Sequence, residues 1–138
     1  MIILDTNVVS ALMRDPPDPK VTAWLDLQLR TSIWTTSVTL LEVRFGLEIM
    51  AVGKRRSSLA DTFELILEKI DHRVAGFDID AAQRAAELMA LRKKKGQPGE
   101  LRDTMIAGIV LANHASLATG NVAHFRDLSV PVIDPWAT

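Results

Sequence analysis

Short apolar and β-branched runs alternate along this chain with stretches of helical period, and that alternation leaves few architectures open. Ile2 to Leu4, Ile33 to Thr36, Val74 to Phe77, Ser116 to Thr119 and Val132-Ile133 are the candidate strands. Between them the pattern predicts helices over Thr6–Met13, Lys20–Leu29, Val38–Ala51, Leu59–Ile70, Asp80–Lys95 and Leu101–His114. Ser37 and Asp78 are expected to cap two of these helices. Asp15 to Pro19 and Gly96 to Gly99 read as loops, and Gly53 to Arg56 as a basic turn. Strands that take turns with helices pair in parallel, because each parallel neighbour needs a crossover. The expected fold class is therefore an α/β sandwich around a parallel sheet. The 138 residues hold no internal repeat or low-complexity tract, so residues 1–138 are read as a single domain.

Composition removes several functional classes. An apolar share of 48% is ample for one core, so a disordered chain is excluded. With 0 cysteines there is no disulfide scaffold, thiolate-held zinc or thiol nucleophile, which suits a reducing compartment. The net charge of -1 means that any phosphate binding must come from a local patch or a metal. No apolar run is long enough to span a bilayer. The opening residues lack a basic leader, and a soluble cytoplasmic protein is expected.

Three acidic residues stand where apolar ones belong. Asp5 directly follows the first strand, at its carboxyl end, where open parallel sheets bind ligands. It could equally cap the next helix, and taken alone it leaves both readings open. At about 100° per residue, Val38, Phe45 and Ile49 fall within about 60° of Glu42, so Glu42 is expected to point toward the body of the protein. The bland alternative is a buried ion pair with Arg44 or Arg102, and Arg44 faces the other way. Asp103 shares a helix face with Ile106, Ala107 and Val110, although a carboxylate in a first turn also suits the helix dipole. In a parallel layout these three positions share one rim. If they converged to about 5 Å, each pair would repel by about 3 kcal/mol at an effective dielectric near 20. An all-oxygen cluster of that kind calls for a divalent cation, Mg²⁺ or Mn²⁺ rather than Zn²⁺.

The motifs around these acids resemble those of PIN-domain ribonucleases, and most closely the VapC/FitB-type toxins of type II toxin–antitoxin pairs. Leu4-Asp5-Thr6-Asn7 is similar to the family's first motif, and Ser37 to Gly46, containing Glu42, to its second. Asp103 to Ala107 resembles the third, and Ala118 to Phe125 the fourth. Pro135-Trp136 is similar to the close of FitB-like chains. The resemblance spans nearly the whole chain. It implies a three-layer α/β/α fold with a parallel sheet of about five strands, an RNA phosphodiester as substrate and Mg²⁺ or Mn²⁺ as cofactor. It also implies a cognate antitoxin, a homodimer, and contact with DNA only through the antitoxin. Asp5, Glu42 and Asp103 would hold the metal, and Asn121 would join them as a catalytic residue. Asn121 stands where the family often has aspartate. A neutral amide there implies one well-held metal and a second that is weak or absent. Thr6 and Thr119 would position waters or the substrate phosphate, or act as simple caps.

In the mechanism so implied, Glu42 or Asp103 helps to deprotonate the attacking water, and in-line attack leaves a 5′-phosphate and a 3′-hydroxyl. The basic clusters Lys54 to Arg56 and Arg92 to Lys95 either hold RNA or are solvated helix ends. Asp127 is read as a surface-loop acid, His72, His114 and His124 as structural or surface residues, and Trp24 and Trp34 as core or dimer contacts. A dehalogenase-like phosphatase is disfavoured because Asn7 stands where it needs a second aspartate. No GxxxxGK phosphate loop occurs. The rival from another class is a PIN domain without catalysis that acts through a partner, a reading that Asn121 favours.

Overall fold

The computed structural model describes residues 1–137. The strands are β1 (Ile2–Leu4), β2 (Ile33–Thr36), β3 (Val74–Ala75), β4 (Ser116–Ala118) and β5 (Val132–Ile133). The helices are α1 (Thr6–Leu12), α2 (Pro19–Asp26), α3 (Ser37–Glu48), α4 (Lys54–Lys69), α5 (Ile79–Lys94) and α6 (Leu101–Ala112). Short 3-10 turns lie at Arg30–Ser32 and Val122–Phe125. The sheet has 5 strands in the order β3-β2-β1-β4-β5, and every pairing is parallel. The chain therefore builds outward from β1 to one side, then returns and builds to the other. The strand order reverses between β1 and β4, and the crevice at such a point is where doubly wound sheets bind ligands.

Alternation along β1 sets the layers, because successive side chains leave opposite faces of a strand. Leu4 enters a core with Val8, Val9, Val21, Trp24, Val43, Leu47 and Phe63, which belongs to α1 through α4. Ile3 enters a second core with Ala81, Leu88, Ile106, Ile109 and Val110, under α5 and α6. The three-layer arrangement follows directly. Helices α5 and α6 pack unusually close. A Cβ on Gly108 would lie 2.4 Å from the Ala81 carbonyl oxygen and 2.8 Å from Ala85 Cβ, so only glycine fits between them.

Local chemistry moved several boundaries. Helix α3 is capped by Thr36, whose hydroxyl accepts from the Thr39 N–H at 3.0 Å, and not by Ser37. The Ser37 hydroxyl instead accepts from the Phe77 N–H at 3.1 Å, which ties α3 to the strand beyond β2. Lys54, Arg55 and Arg56 are not a turn but the first turn of α4, an end that the dipole disfavours for cations. Arg56 is paired there with Glu48. Helix α2 stops at Asp26, which leaves Leu29 outside it and 76% exposed. Trp24 is buried in the first core, and Trp34 packs partly buried against the second. Among the described residues, no helix is long and apolar enough to cross a membrane.

Candidate active site at the carboxyl edge of the sheet

Asp5 ends β1 and caps α1 at the same time. Its Oδ1 accepts from the Thr6 N–H at 2.8 Å. Its backbone N–H extends the ladder to the Ala118 carbonyl, so the acid is fixed from both neighbours. The side chain is buried, with Asp5 2% exposed. Oδ2 accepts from the Thr119 hydroxyl at 2.7 Å and from Asn7 Nδ2 at 3.2 Å. The capping and functional readings of Asp5 are thus not exclusive, since one oxygen caps and the other faces the strand crossing. Burial raises its pKa above the ordinary 3.8, while the Thr119 and Thr6 bonds pull it down. The negative charges of Asp103 and Glu42 raise it further, which places all three acids in one electrostatic neighbourhood.

Glu42 arrives on α3 by a different route from the one its helical face suggested. Val38 is buried, but Phe45 is 57% and Ile49 69% exposed. The stripe containing Glu42 therefore runs from the core out to the surface. The Glu42 side chain is 22% exposed, so it does not need the compensation that a fully buried charge would. It is aimed by hydroxyls. Thr6 Oγ1 donates to Glu42 Oε1 at 2.8 Å and lies 2.9 Å from Thr39 Oγ1, which in turn lies 3.4 Å from Thr36 Oγ1. Thr36 and Thr39 are fully buried, so the capping residue of α3 and the acid further along the helix belong to one network. Arg102 Nη1 stands 3.7 Å from Glu42 Oε2 and supplies the cation of the alternative reading. Arg44 does face away, where it pairs with Glu64.

Asp103 sits in the first turn of α6, which Glu100 caps by accepting from the Asp103 N–H at 3.0 Å. Ile106, Ala107 and Val110 on its face are fully buried, as their spacing predicts. The Asp103 carboxylate lies at the rim, 3.2 Å from His124 Nδ1. His124 is therefore a neighbour of the site and not merely a surface residue.

Among the described residues, no three acids or histidines are gathered tightly enough to form a closed ligand set. Each acid is held by its own partners instead: Asp5 by Thr119, Glu42 by Thr6 and Arg102, Asp103 by His124. The donor chemistry still fits a hard divalent cation, with carboxylate oxygens backed by hydroxyls around a buried acid whose ionised form is disfavoured. Two of the holding groups are at the rim, with the Arg102 and His124 side chains 47% and 61% exposed. They can give way to a cation without disturbing the core.

Thr6 and Thr119, expected to orient water or phosphate, have hydroxyls committed to Glu42 and Asp5. Asn121 is exposed and gives its backbone N–H to Thr119 Oγ1 at 3.0 Å. Among the described residues, no hydrogen bond joins its side chain to the three acids. Asn7 was visible only as part of a motif, yet it ties the site together. Its Nδ2 reaches Asp5 and its Oδ1 accepts from the Gly120 N–H at 2.9 Å. Trp136 covers the same turn, because a Cβ on Gly120 would lie 2.9 Å from its ring. Asp127 is not a free loop acid. It forms a two-pronged pair with Arg92 at 2.8 and 2.9 Å, and those bonds hold its carboxyl below the ordinary 3.8. Arg92 is correspondingly buried and leaves the basic run as a structural residue.

Glu42 also lines a cleft of about 1130 Å³ between α1, α3 and α4. Leu12, Met13, Leu47, Met50 and Leu59 share its lining with Thr6, Arg14, Asp15, Glu42 and Arg55. A surface of mixed apolar and polar character thus adjoins Glu42.

The PIN domain family model matches residues 2–130. The chain is 37% identical over 137 residues to the VapC ribonuclease Y4jK of Sinorhizobium fredii, covering 99% of this chain and 98% of that protein. It is 31% identical to the toxin FitB of Neisseria gonorrhoeae, covering 99% of each. The crystal structure of FitAcB from Neisseria gonorrhoeae superposes with a TM-score of 0.90 at 30% identity, over 100% of both chains. A five-stranded parallel sheet between helical layers, the acids at its carboxyl edge and a match along almost the entire chain lead to one conclusion: this chain belongs to the PIN-domain family.

Proposed function

We propose that the chain is the toxin of a type II toxin–antitoxin pair, an endoribonuclease that hydrolyses RNA phosphodiester bonds with Mg²⁺ or Mn²⁺. The observation that carries this reading is the placement of Asp5, Glu42 and Asp103. They lie on three different elements, yet Glu42 and Asp103 both act on the charge of Asp5 at the strand-order reversal. Relatives named as a VapC ribonuclease and as a toxin support it. Asp5, Glu42 and Asp103 would hold the metal, which when bound would polarise the phosphate and acidify a water. Thr119 and Asn7 keep Asp5 oriented, and Thr6 keeps Glu42 turned toward the site. Glu42 or Asp103, both partly exposed, would take the proton of the attacking water.

A cognate antitoxin would dock in the cleft beside Glu42 and place a basic side chain at the acidic rim, in the position that Arg102 approaches here. Exposed Leu41 and Phe45 on α3, Ile49 just past its end and Leu65 on α4 would provide apolar surface for a homodimer or partner. A cytoplasmic setting and contact with DNA only through the antitoxin complete the reading. The second reading is a domain that binds without cutting. It is favoured by the neutral, exposed Asn121. Cleavage of RNA in Mn²⁺ by wild type and by Asp5→Asn, Glu42→Gln and Asp103→Asn separates the two. Loss of cleavage in all three variants supports the enzyme, and undiminished cleavage by Asp5→Asn or Asp103→Asn refutes the assignment.

A further inference from the structure

The basic run Arg92 to Lys95 contains two kinds of residue. Arg92 is buried and bound to Asp127, Thr104 and the His124 carbonyl. Lys95 is exposed and lines a groove of about 520 Å³ between the α5–α6 connection and the Val122–Phe125 turn, together with His124 and Arg126. Asp103 also lines this groove, so it adjoins the acidic site, and it shares no lining residue with the cleft beside Glu42.

The charge balance of the groove is uneven. Its acids are already engaged: Asp127 by Arg92, Glu100 by Arg102 and the cap of α6, Asp103 by His124. Among the described residues, neither Lys95 nor Arg126 makes an ion pair. Lys95 and Arg126 both line the groove, on its two sides, with Asp103 between the same walls. The floor is rigid. The α5–α6 connection packs onto the Arg92 guanidinium, and a Cβ on Gly99 would lie 2.7 Å from Nη1. In a chain of net charge -1, two unpaired cations lining a groove with Asp103 are the kind of local patch that phosphate binding would need.

Building on the ribonuclease reading, we propose that this groove carries the RNA strand on one side of the scissile phosphate. Lys95 and Arg126 each neutralise one backbone phosphate, and Arg92 positions the groove without touching RNA. The contacts are to phosphate and so carry no base preference.

The test is fluorescence anisotropy of a labelled single-stranded RNA with Asp5→Asn protein in Mg²⁺, a background expected to leave the RNA uncut. Binding is measured from about 50 to about 200 mM salt. Each phosphate contact to a single strand contributes about 0.7 to the log–log salt slope. Adding Lys95→Ala with Arg126→Ala should reduce the slope by about 1.4 and weaken binding about tenfold at the lowest salt. Adding Lys93→Ala with Lys94→Ala, two exposed lysines of the same run that do not line the groove, should change the slope little. An unchanged slope in the first pair overturns the proposal, as does an equal loss in the second. If the groove receives a protein segment instead, the first pair will leave RNA binding unmoved, and the proposal falls in the same way. Cleavage of the RNA by Asp5→Asn itself would overturn the role given to Asp5, and absence of cleavage by the wild type in Mn²⁺ would overturn the ribonuclease reading, so both are distinguishable from failure of the groove.

Discussion

Removing either partner of the Arg92–Asp127 pair should destabilise the protein by several kcal/mol, with the aspartate variant the worse of the two. The Arg92 side chain is 6% exposed and that of Asp127 32%. Asp127→Ala strands a buried guanidinium that keeps only Thr104 at 3.1 Å and the His124 carbonyl at 3.0 Å. Breaking a buried pair from one side costs about 3–5 kcal/mol, and this is the buried side, so about 4 kcal/mol is expected. Arg92→Met leaves a carboxylate that recovers water, and about 3 kcal/mol is expected, a fall in Tm of roughly 12 °C. The double variant should cost little more than the worse single, giving a coupling energy of about 3 kcal/mol. Urea unfolding of all four proteins in chelator measures the cycle. A coupling energy below about 1 kcal/mol, the level of an exposed pair, would refute the claim that this contact anchors the loop carrying Asn121 and His124.

Gly108→Ala should cost about 3 kcal/mol in the same urea assay, because its Cβ would meet Ala81 backbone 2.4 Å away and neither helix can yield. The folded-state pKa of Asp127 is lowered from 3.8, so its contribution is present above that value and is lost as pH falls through the lower one. The stability gap between wild type and Asp127→Asn should therefore be flat above about pH 5 and shrink below the ordinary value, read from urea midpoints. Thr119→Val removes the strongest side-chain hold on Asp5 and should lower RNA cleavage by about 10–100-fold with the fold intact by circular dichroism. Asn121→Asp should strengthen Mn²⁺ binding in calorimetry, by placing a fourth carboxylate at the motif position where the family often has one.

The parts of this molecule that were legible in the sequence are those fixed by local chemistry. Strands β2 and β5 stand where their β-branched residues placed them, and Asp78 caps α5 as expected. The parallel sheet followed from the alternation of elements, and the sharing of one rim by Asp5 and Asp103 followed from strand and helix ends. What sequence hid depends on partners far along the chain. Arg92 read as either an RNA contact or a solvated helix end because its partner, Asp127, lies 35 residues away. His124 is at the surface, within its reading as structural or surface, but its contact with Asp103, 21 residues distant, left no local signal. Glu42 shows the limit of periodicity. A stripe of apolar side chains reads the same whether it faces a core or leaves one, and the α3 stripe does both. The cap of α3 fell to Thr36 because Ser37 had a long-range donor in Phe77 that no local pattern reveals.

The proposed activity stands or falls with a divalent metal held jointly by Asp5, Glu42 and Asp103, although the three are not drawn into a closed set without one. Calorimetric titration of Mn²⁺ into wild type and into Asp5→Asn reads that binding without relying on cleavage. One well-defined site in the wild type that is lost in Asp5→Asn is the predicted result. No binding at millimolar Mn²⁺, or equal binding by the two proteins, would contradict it.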